Sequence, residues 1–280
     1  MRGERDILRI LLTNDDGIFA EGLGVLRKAL EGFAELYVIA PDRERSATGH
    51  SITVHRPLRV REAGFRSERV RGWVVDGTPA DCVKLGLEAL LPEKPDLLIA
   101  GINLGPNLGT DVLYSGTVSA AIEGIINGIP SVAVSLATHE EPDFSHAVGF
   151  VKSFLPEFTR QAVPTGTLLN INVPPGIPRG VRATKLGNIR YINVIDRRTD
   201  PRGRVYFWMA GEPLEDVNGN DADTDVRAVK EGYISITPVH YDLTDYLFME
   251  KLKEWSLPWA REVLLRGKGP PSGKELQERA

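Results

Sequence analysis

The stretch ILLTNDDG, residues 10–17, decides how this chain is read. Ile10, Leu11 and Leu12 are consecutive apolar residues without polar alternation, the pattern of a short strand buried on both faces. Thr13, Asn14, Asp15 and Asp16 follow at once, and Gly17 closes the run. Leu23, Leu26 and Leu30 then recur at helical spacing. Strand, polar turn and helix in that order open a series of crossover units. In an open parallel sheet, ligands bind beyond the carboxyl ends of the strands, where this polar turn falls.

The series continues outward. Residues 36–40 read as a second buried strand stopped by Pro41, followed by the polar loop DRERSATGHS. Residues 73–75 are strand-like, and Thr78, Pro79 and Asp81 start a helix as cap, first residue and first-turn acid, with Val83, Leu87 and Leu90 on its apolar face. Residues 97–100 form a strand that leads into a Gly/Asn-rich loop over 101–116. A helix over about 117–127 shows Val118, Ile122 and Ile125 on one side, and a strand over 132–136 follows. Val151, Leu155, Phe158 and Ala162 mark a longer helix, and 168–173 a strand closed by Pro174 and Pro175. Strands alternating with helices predict an α/β fold: a Rossmann-like, mostly parallel sheet flanked by helices.

The texture changes after residue 180. Residues 191–195 and 204–209 are strand-like around a turn at 201–203, a long hairpin in which Val205, Phe207 and Met209 alternate with Tyr206 and Trp208. Both faces of such a hairpin are apolar, so it calls for a partner. Residues 232–239 read as a further strand, and the tail from 267 as a polar, frayed end. The division expected is a catalytic core over 1–180, a hairpin and strand extension over 181–250 that completes the fold, and a helical end with polar tail over 251–280.

Composition bounds the function. The chain has 280 residues, 42% hydrophobic and 26% charged, which suits a globular protein and excludes collagen, coiled coil and global disorder. A net charge of -4 is wrong for gripping duplex nucleic acid. One cysteine, Cys82, excludes an internal disulfide framework or a Cys-based zinc site, and reads as core filler. No secretory leader and no membrane-length apolar run is visible, so the expected location is the cytoplasm. The five histidines lack ligand spacing; His50 alone shares a loop with a candidate residue. No P-loop, no Gly-x-Gly-x-x-Gly after the first strand and no Gly-x-Ser-x-Gly elbow occurs.

Four polar groups fall where a site would lie: Asp15 and Asp16, Ser46 in the loop after the second strand, and Asn103 after the strand ending at Ala100. Each has a plainer use, as helix cap, loop hydroxyl or turn residue. Together they are an all-oxygen set suited to a hard cation, Mg²⁺, Mn²⁺ or Ca²⁺. Adjacent carboxylates repel, so fixing both at a strand end is costly without a compensating cation. Ser115, Gly116 and Thr117 open a helix, where unpaired N–H groups and hydroxyls suit phosphate, or where Ser115 or Thr117 simply caps. Asn107 could reach the same pocket or make the turn.

These clusters, in this order, resemble the stationary-phase survival protein E family, SurE, the metal-dependent 5′/3′-nucleotidases. The stretches that carry it are ILLTNDDGIFAEGL at 10–23, VIAPDRERSATGHSIT at 38–53, VDGTPADCVKLGL at 75–87 and PDLLIAGINLGPNLGTDVLYSGTVSAAIEG at 95–124. GIPSVAVSL at 128–136, LLNINVP at 168–174 and GYISITPVHYDLT at 232–244 extend it over most of the chain. The resemblance implies one divalent cation per subunit on Asp15, Asp16, Ser46 and Asn103, with Asp15 and Asp16 catalytic. It also implies phosphate removal from nucleoside monophosphates and, more weakly, from other phosphates. Assembly as a homodimer or homotetramer through C-terminal elements is implied too, and the hairpin suits that use. Ala100 and Thr48 depart from the residues common at those positions, serine and glycine.

Two rivals are kept. An aspartyl-phosphate mechanism typically uses two Asp one residue apart, whereas these are adjacent. A nucleotide-sensing module on the same scaffold would bind nucleotide and release no phosphate. The group that takes the attacking water's proton is left open.

Overall fold

The computed structural model describes residues 7–255, apart from 141, 162, 193, 210–211 and 215–220. The first half holds β1 (Leu8–Thr13), α1 (Glu21–Leu30), β2 (Ala34–Pro41), β3 (Val60–Glu62), β4 (Val70–Val75) and α2 (Pro79–Leu85), which widens into a π-helical turn over Gly86–Leu90. β5 (Leu97–Leu104), a 3-10 turn (Gly109–Leu113), α3 (Gly116–Ile126), β6 (Ser131–Leu136), α4 (Ser145–Arg160) and β7 (Thr167–Val173) follow. The remainder is β8 (Val181–Ala183), β9 (Arg190–Ile192), β10 (Ile195–Thr199), β11 (Val205–Met209), β12 (Glu212–Leu214), α5 (Asp225–Lys230), β13 (Ile234–His240) and α6 (Tyr246–Lys253).

Nine strands form one sheet in the order β3-β4-β2-β1-β5-β6-β7-β13-β8. The six from β4 to β7 are mutually parallel, while β3 and β13 run antiparallel to β4 and β7. The α/β class read from the sequence is therefore the observed one. The chain builds outward from β1 through β2 to β4, then returns to the other side of β1 as β5. That reversal places the topological switch point between β1 and β5, the crevice in which such sheets take ligands.

Alternation along the strands fills a core on each face. Ile10, Leu12, Leu36 and Ile99 meet Leu23 and Leu26 of α1, with Val151 and Leu155 of α4 in the same cluster. Leu11, Ile39 and Leu98 point the other way, toward Cys82 and Val83 of α2 and Val118 and Ile125 of α3. Cys82 is the buried core residue expected, and the Ala162 position lies outside the described residues. The box expected at α2 is present: Thr78 Oγ1 accepts from Asp81 N at 3.1 Å, and Thr78 N donates to Asp81 Oδ2 at 2.8 Å.

One boundary is corrected. The loop expected from 101 begins later, because β5 runs on to Leu104 past a bulge between Ala100 and Asn103. The bulge needs Gly101: its φ is +134°, and a Cβ there would lie 2.3 Å from Val134 O. The Gly101–Ile102 peptide is cis.

The segment from 181 onward divides. β8 and β13 join the main sheet. β10 and β11 pair as the hairpin, Ile195 opposite Met209 and Thr199 opposite Val205. β9 and β12 pair antiparallel in the same register as a second two-stranded ladder, Ile192 opposite Glu212. Ile195, Val205, Tyr206, Phe207, Trp208 and Met209 are all exposed on the β10–β11 hairpin. β9 and the residue before it are tied to the 3-10 turn by Tyr191 Oη, which donates to Asp111 Oδ2, and by Thr110 Oγ1, which donates to Ile189 O at 2.7 Å. Residues Asp242–Ala280 form a second compact unit, in which Asp245 caps α6 by accepting from Phe248 N at 2.8 Å; the tail from 267 lies outside the described residues. Among the described residues no helix is long and apolar enough to cross a membrane.

Candidate active site at the sheet switch point

Asp15 and Asp16 leave the carboxyl end of β1, and Asn14 shapes their turn by donating from Nδ2 to Gly17 O (2.9 Å) and accepting from Gly17 N (3.2 Å). Asp15 is 5% exposed. Burial pushes its carboxyl above the usual range, and hydrogen bonds from Thr117 work against that. Asp16 is pushed up to about 6, first by burial and then by the charge of Asp15, with the Leu104 N–H (3.4 Å) pulling the other way. The two carboxylates thus share a space poor in water and hold each other's charge in check.

The N-terminus of α3 faces this pair. Ser115 is the cap, its Oγ accepting from Val118 N at 3.0 Å. Thr117 Oγ1 donates to Asp15 Oδ1. Gly116 is fixed by contact: a Cβ on it would lie 2.7 Å from Asp15 Cβ and 2.8 Å from Asp15 Oδ2. The positive end of the helix dipole and the acidic pair therefore occupy one crevice.

Asn103 sits at the far side of the β5 bulge and is buried; its Nδ2 donates to Gly105 O at 2.8 Å, which leaves the carbonyl end as the ligand-type atom. Ser46 is exposed and donates to Glu44 Oε1 at 2.7 Å. Its loop is docked on the site through its neighbour, since Arg45 N donates to Asp15 O at 2.7 Å, and through Gly49 N, which donates to Tyr114 O at 3.0 Å. The structure thus brings Asp15, Gly116 and Thr117 into contact, with Asp16 beside Asp15, and docks the Ser46 loop beside them with the hydroxyl turned to Glu44. Asn107 is directed elsewhere, onto the ends of β6 and β7.

His50 does not join the carboxylates. Its Nε2 pairs with Glu123 Oε2 at 2.9 Å, and Glu123 also accepts from Lys84 Nζ (3.2 Å) and Asn127 Nδ2 (3.0 Å). These donors, His50 foremost, hold the buried Glu123 carboxyl down at about 2. The Ser46 loop is thereby anchored to the middle of α3.

Two groups escaped the sequence reading. Glu44 adds negative charge that raises both Asp15 and Asp16; its only sequence signal is an acid two residues before Ser46. Thr13 Oγ1, at the carboxyl end of β1, is buried without a hydrogen-bond partner. Among the described residues no group of three His, Cys, Asp or Glu side chains is placed to hold a metal. A cation here would need Ser and Asn oxygens beside the carboxylates. The donor set fits such an ion: two raised carboxyls, the Asn103 carbonyl end and the Ser46 hydroxyl on a loop docked beside them, with no basic side chain paired with either carboxylate among the described residues.

A doubly wound α/β protein with an acidic pair set against a helix N-terminus at the switch point is a class built to handle anionic ligands. This chain belongs to the SurE family. The family described as Survival protein SurE matches residues 10–193. The 5′-nucleotidase SurE of Pelotomaculum thermopropionicum is 66% identical over 88% of this chain and 95% of its own length. That of Desulforudis audaxviator is 65% identical over 90% and 99%. The crystal structure of the SurE protein from Aquifex aeolicus superposes with a TM-score of 0.75 at 40% identity, covering 88% of this chain and 98% of that one.

Proposed function

We propose that the chain is a divalent-metal-dependent phosphohydrolase that removes phosphate from nucleoside 5′- and 3′-monophosphates. The observation that carries this reading is the packing of Gly116 against Asp15, which puts the acidic pair and the start of α3 in one crevice. A phosphate bound there alone would be repelled by the pair; a cation between them reconciles the two. Asp15, Asp16, Ser46 and Asn103 would hold one Mg²⁺, Mn²⁺ or Ca²⁺ per subunit. That ion would supply Lewis-acid polarisation of a phosphate oxygen.

The chain's own groups do the rest. The N–H groups at the start of α3, with the Ser115 and Thr117 hydroxyls, meet phosphate oxygens and the charge that develops on them. The Ser115 hydroxyl can donate while still accepting from Val118 N. Thr117 can turn from Asp15 to phosphate once the carboxylate is otherwise compensated. Nucleotidase activity of the named relatives supports this class of substrate. The exposed apolar hairpin supports assembly as a homodimer or homotetramer, and the cytoplasm remains the proposed location.

The test is phosphate release from a panel of nucleoside 5′- and 3′-monophosphates, before and after chelation, with each ion added back. Release abolished by chelator and restored by metal is expected. Release indifferent to chelation overturns the metal assignment, and nucleotide binding without release overturns the enzyme.

A further inference from the structure

β7 breaks the pattern of the sheet face it shares with α2 and α3. On that face β1, β2 and β5 present Leu11, Ile39 and Leu98, whereas β7 follows Leu168 with Asn170 and Asn172. Both asparagines are fully buried. An amide withdrawn from water is costly unless its donors and acceptor find partners.

Both reach the backbone of one residue, Asn107. Asn107 N donates to Asn172 Oδ1 at 2.8 Å, and the Nδ2 groups of Asn170 and Asn172 converge on Asn107 O at 2.8 and 3.0 Å. Asn107 Nδ2 donates to Ser135 Oγ on β6 at 2.7 Å. A backbone N–H only donates and a carbonyl only accepts, so these contacts fix which way each amide points. Asn170 Oδ1 is left buried without a partner. Packing alone would be served better by leucine or valine at both positions, so the gain must come from what Asn107 holds.

Asn107 lies between Asn103 and Ser115, on the segment that joins the two halves of the site. Upstream, Gly105 N donates to Leu136 O at 3.0 Å, and Leu104 N reaches Asp16. Downstream, Gly109 N donates to Asp225 Oδ2 at 2.9 Å, just before α3. We propose that Asn170 and Asn172 are positioning residues for the switch-point site: by gripping the Asn107 backbone on both sides of its Cα they set where Asn103 stands and where α3 begins. This rests on the metal-phosphohydrolase reading above.

The test uses the full chain with Asn172→Ala, which removes two contacts to Asn107, Asn170→Ala, which removes one, and Ser235→Ala. Ser235 is the register partner of Asn172 on β13, with a buried hydroxyl that makes no hydrogen bond. Mn²⁺ binding is measured by titration calorimetry without nucleotide, kcat and KM separately, and thermal midpoints alongside. Hydrogen-bond partners of metal ligands typically carry about 10–100-fold in affinity or activity, and the Asn107 contacts, one step further out, are set at the low end of that range. Asn172→Ala is expected to lose at least about tenfold in Mn²⁺ affinity and in kcat, with KM little changed; Asn170→Ala loses less and Ser235→Ala nothing. A folded Asn172→Ala with parental affinity and kcat overturns the proposal, as does an equal loss in Ser235→Ala. Should Asn172→Ala fail to fold, Asn170→Ala decides, and parental values there overturn it. If the parent itself shows no chelator-sensitive turnover, the functional reading falls and takes this inference with it. A metal-dependent parent with unchanged variants refutes this inference alone.

Discussion

Asp16→Asn should make the metal-free protein more stable while destroying its activity. The Asp16 carboxyl is pushed from an ordinary 3.8 to about 6 by burial and by the charge of Asp15. At 1.36 kcal/mol per pH unit this corresponds to about 3 kcal/mol. Asp16 is only partly buried, so screening by solvent reduces it to about 1–2 kcal/mol. The sign follows from proton linkage. A raised carboxyl leaves the native state penalised for ionising, so the penalty is complete above pH 6 and absent below 3.8. The amide, which does not ionise, escapes it. In chelator at pH 8, thermal unfolding followed by circular dichroism should therefore show Asp16→Asn melting about 2–6 °C above the parent. The advantage should shrink as pH falls through 6 and vanish near 4. Adding Mn²⁺ should raise the parent's midpoint and leave the variant's nearly unmoved, because a ligand that binds only the native state stabilises it. A variant that melts at or below the parent in chelator at pH 8, or gains as much as the parent from Mn²⁺, would refute the reasoning.

Asp15→Asn, which keeps an oxygen for Thr117, should fold normally and lose at least about a hundredfold in phosphate release, read in a steady-state assay. Gly116→Ala puts a methyl 2.7 Å from Asp15 Cβ; thermal unfolding should show a loss of about 1–3 kcal/mol, with turnover falling beyond what that loss explains. Glu123, held at about 2 against an ordinary 4.5, contributes stability that is present above pH 4.5 and lost as pH falls toward 2. Glu123→Gln should cost about 2 kcal/mol at pH 7, after allowance for the solvent that reaches His50 and Lys84, and should flatten the acid-unfolding profile seen in urea titrations. Phe207→Asp with Trp208→Asp should shift sedimentation to the monomer if the hairpin is the assembly surface; an unchanged coefficient assigns assembly elsewhere.

The frame was legible because its signals are local. Consecutive apolar residues at 10–12, 36–40 and 97–100 mark strands buried on both faces, and all three lie within observed strands. The Thr78 to Asp81 box needs only four residues to be seen and has the expected bonds. The hairpin was legible at 191–195 and 204–209 through alternating large apolar residues, although the arm that pairs with Val205–Met209 is Ile195–Thr199. What escaped notice depends on distance along the chain. Glu123 carries no signal within its helix, because its partners His50 and Lys84 lie 73 and 39 residues away. Asn170 and Asn172 carry no signal within the strand read at 168–173; their partner is the backbone of Asn107, more than sixty residues earlier. The β5 bulge escaped because Gly101 looks like the start of a loop until Val134 O is known to press on it.

The carboxylates and their supports differ in what they cost the fold. Asp15 and Asp16 are raised, and among the described residues neither is paired with a basic side chain, so at neutral pH their ionisation weakens the metal-free fold. The groups around them are held firmly: Gly116 by contact, the Ser46 loop by Arg45 N, Gly49 N and His50, and the Asn103 loop by Asn107 and Asp225. Asp225 is itself a buried carboxyl raised by burial, but it accepts from Gly109 N, Gly187 N and Val226 N, so its charge is answered within the protein. The contrast separates two uses of a buried acid. Asp225, satisfied by backbone donors, fixes loops and needs nothing from outside. Asp15 accepts from the Thr117 hydroxyl and from backbone N–H groups, and Asp16 from the distant Leu104 N–H, so the pair keeps acceptor capacity that the proposed cation would take up.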